Sequence, residues 1–317
     1  MLEPELYKIR SVSACMGCAY HLFTDNFKKI FRRMWLPILV TSLCMSVAML
    51  MAQNMERIQL AGSGMYSPEL MMAMGEYSIV QLISLIPAFW MGGRLLGLLN
   101  DRTTGWNVRR LIKSYVLVIV AVIVVELVFF LIGMSVGGAL TSMAFLSLGF
   151  LVIFVASVPL IYSWMKYFMD PDMRLGMLFG KAYKAGWRHW GFLFGLFFLV
   201  ALIMVVICVI LFLPAMGLET AAQANAAGML GGDASGLPAA FSVLTYVVFA
   251  CTYFILYFVE IWMTFNMYYG YGSVEAREHG DDVEREVLDD GAAPFDGRRI
   301  EEGGYSSEPK NDFEEIR

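Results

Sequence analysis

The sequence contains few charged side chains and few histidines. Only 16% of its 317 residues are Asp, Glu, Lys or Arg, whereas about 25% is usual in soluble domains. The three histidines are His21, His189 and His279. No spacing typical of zinc proteases, serine hydrolases, P-loop proteins or dinucleotide-binding folds is present. These absences argue against a soluble enzyme, and we expect no catalytic residue, no cofactor and no metal site.

Hydrophobic residues, by contrast, are abundant. They make up 58% of the sequence, and the mean hydropathy is +0.62, which argues against a disordered chain. A membrane-spanning helix needs about 20 mostly apolar residues. Runs close to this length occupy residues 35–52, 77–99, 111–134, 142–165, 190–213 and 239–265. The sequence therefore predicts an all-α bundle of six transmembrane helices within residues 35–270.

Basic residues lie at alternate ends of these runs. Residues 1–34 contain six Lys or Arg, and further basic residues follow the second and fourth runs. The other three connections, at 53–76, 135–141 and 214–238, contain one basic residue in total, Arg57. Because Lys and Arg are enriched in cytoplasmic loops, we expect both termini to be cytoplasmic, in a bacterial inner membrane. Residues 1–34 also lack the apolar core of a signal peptide, so the first run is expected to remain as a membrane helix.

Two segments predict interfacial helices on the cytoplasmic side. In the first, apolar residues recur at helical spacing: Tyr20, Phe23, Phe27, Ile30 and Met34. Its basic residues are Lys28, Lys29, Arg32 and Arg33, and those of the second segment, for which Asp170 predicts an N-cap, are Lys181, Lys184 and Arg188. Helices of this kind attract anionic headgroups. These two helices either lead into the next span or sense lipid. We expect membrane lipids as partners and do not expect nucleic acid. The sequence indicates no protein partner.

A family resemblance rests on two short motifs. The segment FKKIFRR at 27–33, followed by WLP at 35–37, resembles the start of uncharacterised bacterial six-span membrane proteins, and GWRHW at 186–190 resembles its counterpart in the second half. Those proteins are distantly similar to the membrane domain attached to some glycerophosphodiester phosphodiesterases. This sequence has no segment for the soluble catalytic barrel, so the resemblance implies a membrane class and no activity.

Apart from Lys113 at the start of the third run, three charged residues lie within the predicted spans, namely Arg94, Glu126 and Glu260, and they are the candidate functional residues of the membrane interior. Arg94 and Glu260 occur at comparable depths, so they either pair or Arg94 extends toward the headgroups. Glu126 lies 15 residues beyond Leu111, and we expect it to face other helices. There it either makes a structural hydrogen bond or serves a proton- or cation-linked function.

The pattern Cys15-Met16-Gly17-Cys18, with His21 one turn further, is the best metal or redox candidate. Zinc sites use four ligands, and this cluster supplies at most three. Two incidental thiols are the preferred interpretation.

The chain ends in an acidic segment. Residues 273–317 contain 15 Asp or Glu and 6 Lys or Arg, whereas the preceding part has 17 basic and 13 acidic residues. Large apolar residues are scarce beyond Tyr271, so residues 271–317 are predicted to be a disordered cytoplasmic tail that is dispensable for folding.

Two hypotheses for function follow. The first is a non-enzymatic integral membrane protein with a structural or envelope-associated role, because no catalytic motif is present. The alternative is a transporter of a small solute, a lipid or an ion that uses Glu126 inside the bundle. A water-accessible cavity reaching Glu126 would favour transport.

Overall fold

The computed structural model describes residues 6–60, 67–232 and 236–289 and is helical without strands in these ranges. The helices are α1 (Val12–Asp25), α2 (Phe27–Leu60), α3 (Pro68–Leu99), α4 (Thr104–Gly137), α5 (Ala139–Met169), α6 (Lys181–Arg188), α7 (Trp190–Leu230) and α8 (Ala239–Asp289). Six of them, α2 to α5, α7 and α8, are long and apolar enough to cross a membrane. The predicted all-α six-helix bundle is confirmed, and the chain is a multi-pass integral membrane protein.

Several of these helices extend beyond their predicted apolar runs. The fifth run ends at residue 213, but α7 continues through Pro214 to Leu230. Residues 215–230 are rich in alanine, the strongest helix former, so an established helix continues easily into this stretch. Most of the connection predicted at 214–238 is therefore helical.

The predicted N-terminal amphipathic helix is divided in two. Asn26 ends α1, and its backbone N–H donates to the carbonyl oxygen of Thr24. Beyond this break, Ile30 and Met34 are completely buried in the core, whereas Phe27 is 44% exposed. The predicted apolar stripe therefore contributes partly to the core and partly to the surface.

The connection between α4 and α5 is a single glycine. Gly138 has φ +78° and ψ −152°, a conformation that residues with a Cβ rarely adopt. Close by, a Cβ on Gly133 would lie 2.6 Å from the Cα of Ser142. These two glycines allow α4 and α5 to form a tight antiparallel hairpin.

The segment between α5 and α6 differs from the sequence prediction. Asp170 ends α5 instead of capping a new helix, and α6 begins only at Lys181, after a 3₁₀ turn at Leu175–Phe179. The physical reason is Arg110 of α4, whose guanidinium donates to the carbonyl oxygens of Pro171 (3.2 Å) and Met173 (2.6 Å). Those carbonyls are consequently not used in a helix.

The prediction of a disordered tail from residue 271 is wrong for its first part, because α8 continues to Asp289. Tyr271, Ser273 and Val274 are 3% exposed or less. The hydroxyl of Ser273 accepts a hydrogen bond from the backbone N–H of Arg10 at 2.9 Å, and a Cβ on Gly272 would lie 2.5 Å from the carbonyl oxygen of Leu6. Packing against the N-terminal segment explains why residues 271–274 are part of the folded core, and residues 290–317 lie outside the described ranges.

The main hydrophobic core lies at the end of the bundle where α2 begins, which we call the basic end. Buried residues of α1, α2, α3, α5, α7 and α8 meet there. The core positions the start of α2 and, with it, the basic residues of the candidate site.

Candidate anion-binding site

A cavity of about 630 Å³ lies at the junction of α1, α2 and α3. Its lining residues are Asp25, Asn26, Lys28, Lys29, Arg32, Arg33 and Arg94. Five of these seven side chains are cationic and one is a carboxylate, so the cavity has a positive potential suited to an anion. We call it the cationic pocket.

Local helix geometry explains why these cations share one side of α2. The carbonyl oxygen of Asn26 accepts hydrogen bonds from the backbone N–H groups of Lys29 and Ile30, both at 2.9 Å, which starts α2 directly after the break. Ile30 and Met34 point into the core with no exposed surface. Because successive residues are about 100° apart around a helix, the basic residues before and after Ile30 are directed away from the core.

Arg94 adds a cation to the pocket from α3. Its Nη1 donates to the carbonyl oxygen of Arg33 at 3.3 Å, and its guanidinium lies 5.5 Å from the ring centre of Trp90. Gly97, one turn further along α3, also lies next to Arg33, because a Cβ at this position would be in ordinary van der Waals contact with Nη2 of Arg33 at 3.6 Å. In the described part of the chain, the contacts of Arg94 are with these neighbours and not with Glu260.

The second predicted group of headgroup-binding cations lies on α6. Lys181, Lys184 and Arg188 are exposed, and none of them lines the cationic pocket. The opposite face of α6 packs on α5, where the hydroxyl of Tyr183 donates to the carbonyl oxygen of Ala156 at 2.8 Å. Burial raises the pKa of this phenol, so it remains a hydrogen-bond donor. The α6 cations form an exposed patch outside the cationic pocket.

Glu126, the candidate of the membrane interior, faces α5. Both carboxyl oxygens are buried and have no hydrogen-bond partner among the described residues. A Cβ on Gly149 would lie 2.9 Å from Oε2 of Glu126, so the absence of a side chain at Gly149 creates the space for the carboxyl group. Glu260 is instead exposed on α8.

The residues of the cysteine motif point in different directions from α1. Cys15 is fully buried in the core, Cys18 is half-buried and His21 is exposed. The ring of His21 makes an edge contact with that of Tyr20, with centroids 5.9 Å apart. Cys15 therefore belongs to the packing of the basic end.

A small polar site occupies the other end of α2 and α7. Its cavity, about 10 Å³, is lined by Gln53, Glu56, Arg57, Glu219, Ala222 and Gln223. Nε2 of Gln223 donates to Oε1 of Glu56 at 3.0 Å. A cavity of this volume holds about one water molecule, so we interpret it as a helix–helix contact.

Sequence reasoning missed a buried polar cluster between α5 and α8. The carboxylate of Glu275 accepts hydrogen bonds from the hydroxyl of Tyr162 at 2.5 Å and from Nζ of Lys166 at 2.7 Å. Glu275 is 7% exposed and Tyr162 only 1%. The four-residue spacing of Tyr162 and Lys166 places them on one face of α5, which was the available signal. No feature of the sequence identified Glu275 as their partner.

The chain matches no family model, no curated protein and no solved structure. The resemblance carried by residues 27–37 and 186–190 therefore stays a prediction. Function is inferred below from the geometry of the chain itself.

Proposed function

We propose that this protein is a non-catalytic integral membrane protein that binds the phosphate of an anionic lipid headgroup in the cationic pocket, with a structural or envelope-associated role in a bacterial inner membrane. The observation that carries the proposal is the convergence of five cations from α2 and α3 around one cavity with a single carboxylate. Scattered surface cations attract anions only diffusely, whereas cations around a cavity can contact one phosphate together.

The position of the pocket supports a lipid ligand. It lies where α2 and α3, both long enough to span a membrane, meet the end of the bundle that is rich in Lys and Arg. Basic residues next to a spanning helix are typical of the cytoplasmic leaflet, where anionic lipids are attracted. We therefore propose that the basic end is cytoplasmic.

Binding of a short-chain anionic lipid to the full-length protein in detergent tests the proposal. Dihexanoyl phosphatidylglycerol is titrated by calorimetry, with dihexanoyl phosphatidylcholine as the zwitterionic comparison. Replacing Lys28, Lys29 and Arg32 together by Gln removes three cations, each contributing about 1 kcal/mol to attraction of an anionic surface. We expect about a hundredfold loss of affinity for phosphatidylglycerol.

The matched control replaces Lys181, Lys184 and Arg188 by Gln. This variant has the same change in charge, but its altered residues lie outside the cationic pocket. Phosphatidylglycerol affinity should change less than about threefold, since surface charges that do not converge on one phosphate contribute little. An equal loss in both variants would indicate diffuse attraction and would contradict a site in the cationic pocket.

A second candidate function, transport through the bundle, is favoured by one observation: the carboxyl oxygens of Glu126 are buried without a partner in the described chain. Unpaired carboxyl groups at this depth often bind protons or cations. However, Glu126 lines neither the cationic pocket nor the small polar site between α2 and α7. Proton or sodium flux into proteoliposomes, abolished by Glu126→Gln, would support this alternative over the first.

A further inference from the structure

A second cavity shares the α1–α2 segment with the cationic pocket. It has a volume of about 580 Å³, and every side chain around it is apolar or aromatic. Its lining residues are Tyr20, Phe23, Phe27, Phe31, Ile203, Ile207, Phe254, Ile255, Phe258, Val259 and Trp262. We call it the aromatic groove; it lies between α1 and α2 on one side and α7 and α8 on the other.

Four phenylalanines form one wall of the groove. The rings of Phe31 and Phe258 are stacked, with centroids 5.5 Å apart and an interplanar angle of 13°. Phe258 also contacts Phe27 at 6.0 Å and Phe254 at 5.3 Å. Phe27 and Phe31 nevertheless remain 44% and 42% exposed, so the chain leaves the α2 side of this wall partly uncovered.

Helical spacing places the groove and the cationic pocket side by side. Phe27 and Phe31 are four residues apart and share one line along α2. Lys28 and Arg32 each follow one of them, about 100° further around the helix. The same two turns of α2 therefore present an apolar line to the groove and a cationic line to the pocket.

We propose that the aromatic groove holds an acyl chain of the same lipid whose phosphate occupies the cationic pocket. The groove has no charged lining residue, while the pocket beside it has five cations. Together they match a lipid that has an anionic headgroup and an apolar chain. Along α8, Phe254 and Trp262 are about 12 Å apart at 1.5 Å per residue, long enough to contact a substantial part of one chain. This proposal rests on the function proposed above.

Chain-length preference in native mass spectrometry of the full-length protein tests the groove. Dihexanoyl and dipalmitoyl phosphatidylglycerol have the same headgroup and differ only in their chains. We expect the wild-type protein to retain the dipalmitoyl lipid about tenfold more strongly, as burial of about two additional methylene groups would give. Equal retention of the two lipids by the wild-type protein would overturn the proposal.

Blocking the groove provides the second arm. Ile203→Trp adds an indole to the groove lining and should reduce the chain-length preference to less than about twofold. Val206→Trp is the matched control, because Val206 lies on the same helix, is 54% exposed and lies outside the groove lining. It should retain the preference. If Ile203→Trp does not fold, judged by its melting temperature, Ile207→Trp takes its place.

The two proposals fail in distinguishable ways. If the variant lacking Lys28, Lys29 and Arg32 loses both lipids while Ile203→Trp keeps the chain-length preference, the pocket stands and the groove proposal is wrong. If the triple variant retains both lipids, headgroup binding in the pocket is wrong. A dimer in the wild-type spectrum that Ile203→Trp removes would make a second copy of this chain the occupant and would overturn the acyl-chain proposal.

Discussion

Two glutamates with buried carboxyl oxygens have opposite surroundings. At the basic end, Glu275 of α8 accepts hydrogen bonds from Tyr162 and Lys166 of α5, at 2.5 and 2.7 Å. Halfway along the α4–α5 hairpin, both oxygens of Glu126 are buried without a partner among the described residues. The residue of α5 that faces the Glu126 carboxyl group is Gly149, which has no side chain.

The difference shows where this bundle can hold a charge. Near the basic end, helices terminate and side chains such as Lys166 supply donors to a carboxylate. Within the hairpin, the backbone N–H groups are already used in helical hydrogen bonds, so Gly149 offers space but no donor. A carboxylate is therefore expected to stabilise the fold at the basic end, whereas Glu126 is expected to contribute little to it.

The largest expected effect comes from removing the end of α8. A chain that stops after Gly272 loses buried Val274 as well as Glu275. Burial of one aliphatic side chain contributes about 2 kcal/mol, and loss of the Glu275 carboxylate from its pair with partly exposed Lys166 costs about 2–3 kcal/mol more. The sum is comparable to the whole stability of many domains. We expect no monodisperse peak for this variant in fluorescence-detected size-exclusion chromatography.

The control for this truncation is a chain that stops after Asp289. It retains α8 to its last residue and should elute like the full-length protein. A monodisperse Gly272 truncation would show that the contacts of Ser273, Val274 and Glu275 are not needed, and would restore the sequence-based expectation of a dispensable tail.

Glu275→Ala isolates the carboxylate and is expected to have the next largest effect. Lys166 and Tyr162 lose their acceptor, but the Lys166 side chain is 28% exposed and regains some hydration. The cost should therefore be about 2–3 kcal/mol, below that of a fully buried pair. Thermal unfolding in detergent measures it, with exposed Glu76→Ala as the control. Adding Lys166→Met should recover part of the loss; strict additivity would contradict a coupled pair.

The helices could be predicted from the sequence, whereas the contacts between distant residues could not. Apolar run lengths are enough to predict six spanning helices, because hydrocarbon thickness sets their minimum length. The basic residues from Lys28 to Arg33 are identifiable from their spacing alone. Their convergence with Arg94 requires the packing of α3 on α2, and the partnership of Tyr162 with Glu275 joins residues 113 positions apart. Such long-range pairs leave no local pattern.

Arg110→Lys tests a polar cluster of the basic end that fixes the segment after α5. The guanidinium lies 4.5 Å from the ring centre of Trp106 and 3.9 Å from that of Tyr167, and it donates to two backbone carbonyls. An ammonium lacks the planar, forked geometry for these contacts, so we expect a loss of about 1–2 kcal/mol.

The neighbouring residue provides the control for this substitution. Arg109 is exposed, and Arg109→Lys should change the unfolding free energy by less than about 0.5 kcal/mol. Chemical denaturation of both variants in the same detergent measures the difference. Equal effects at the two positions would show that the contacts of the Arg110 guanidinium contribute nothing specific.

The smallest expected effect is at Glu126. Because Glu126 has no hydrogen-bond partner to lose among the described residues, Glu126→Gln should leave the melting temperature nearly unchanged. Glu126→Leu should be neutral or slightly stabilising, because replacing an unsatisfied polar group by an apolar one of similar shape removes a desolvation cost. Leu127→Gln, at a position that is 52% exposed, controls for adding an amide to α4. A loss of more than about 2 kcal/mol in Glu126→Gln would reveal a hydrogen bond of the carboxyl group and contradict the comparison. If Glu126 instead binds a proton or a cation during transport, the Gln variant keeps its fold and loses the pH- or ion-dependent flux, so stability and flux measured on the same preparation separate a structural role from a transport role.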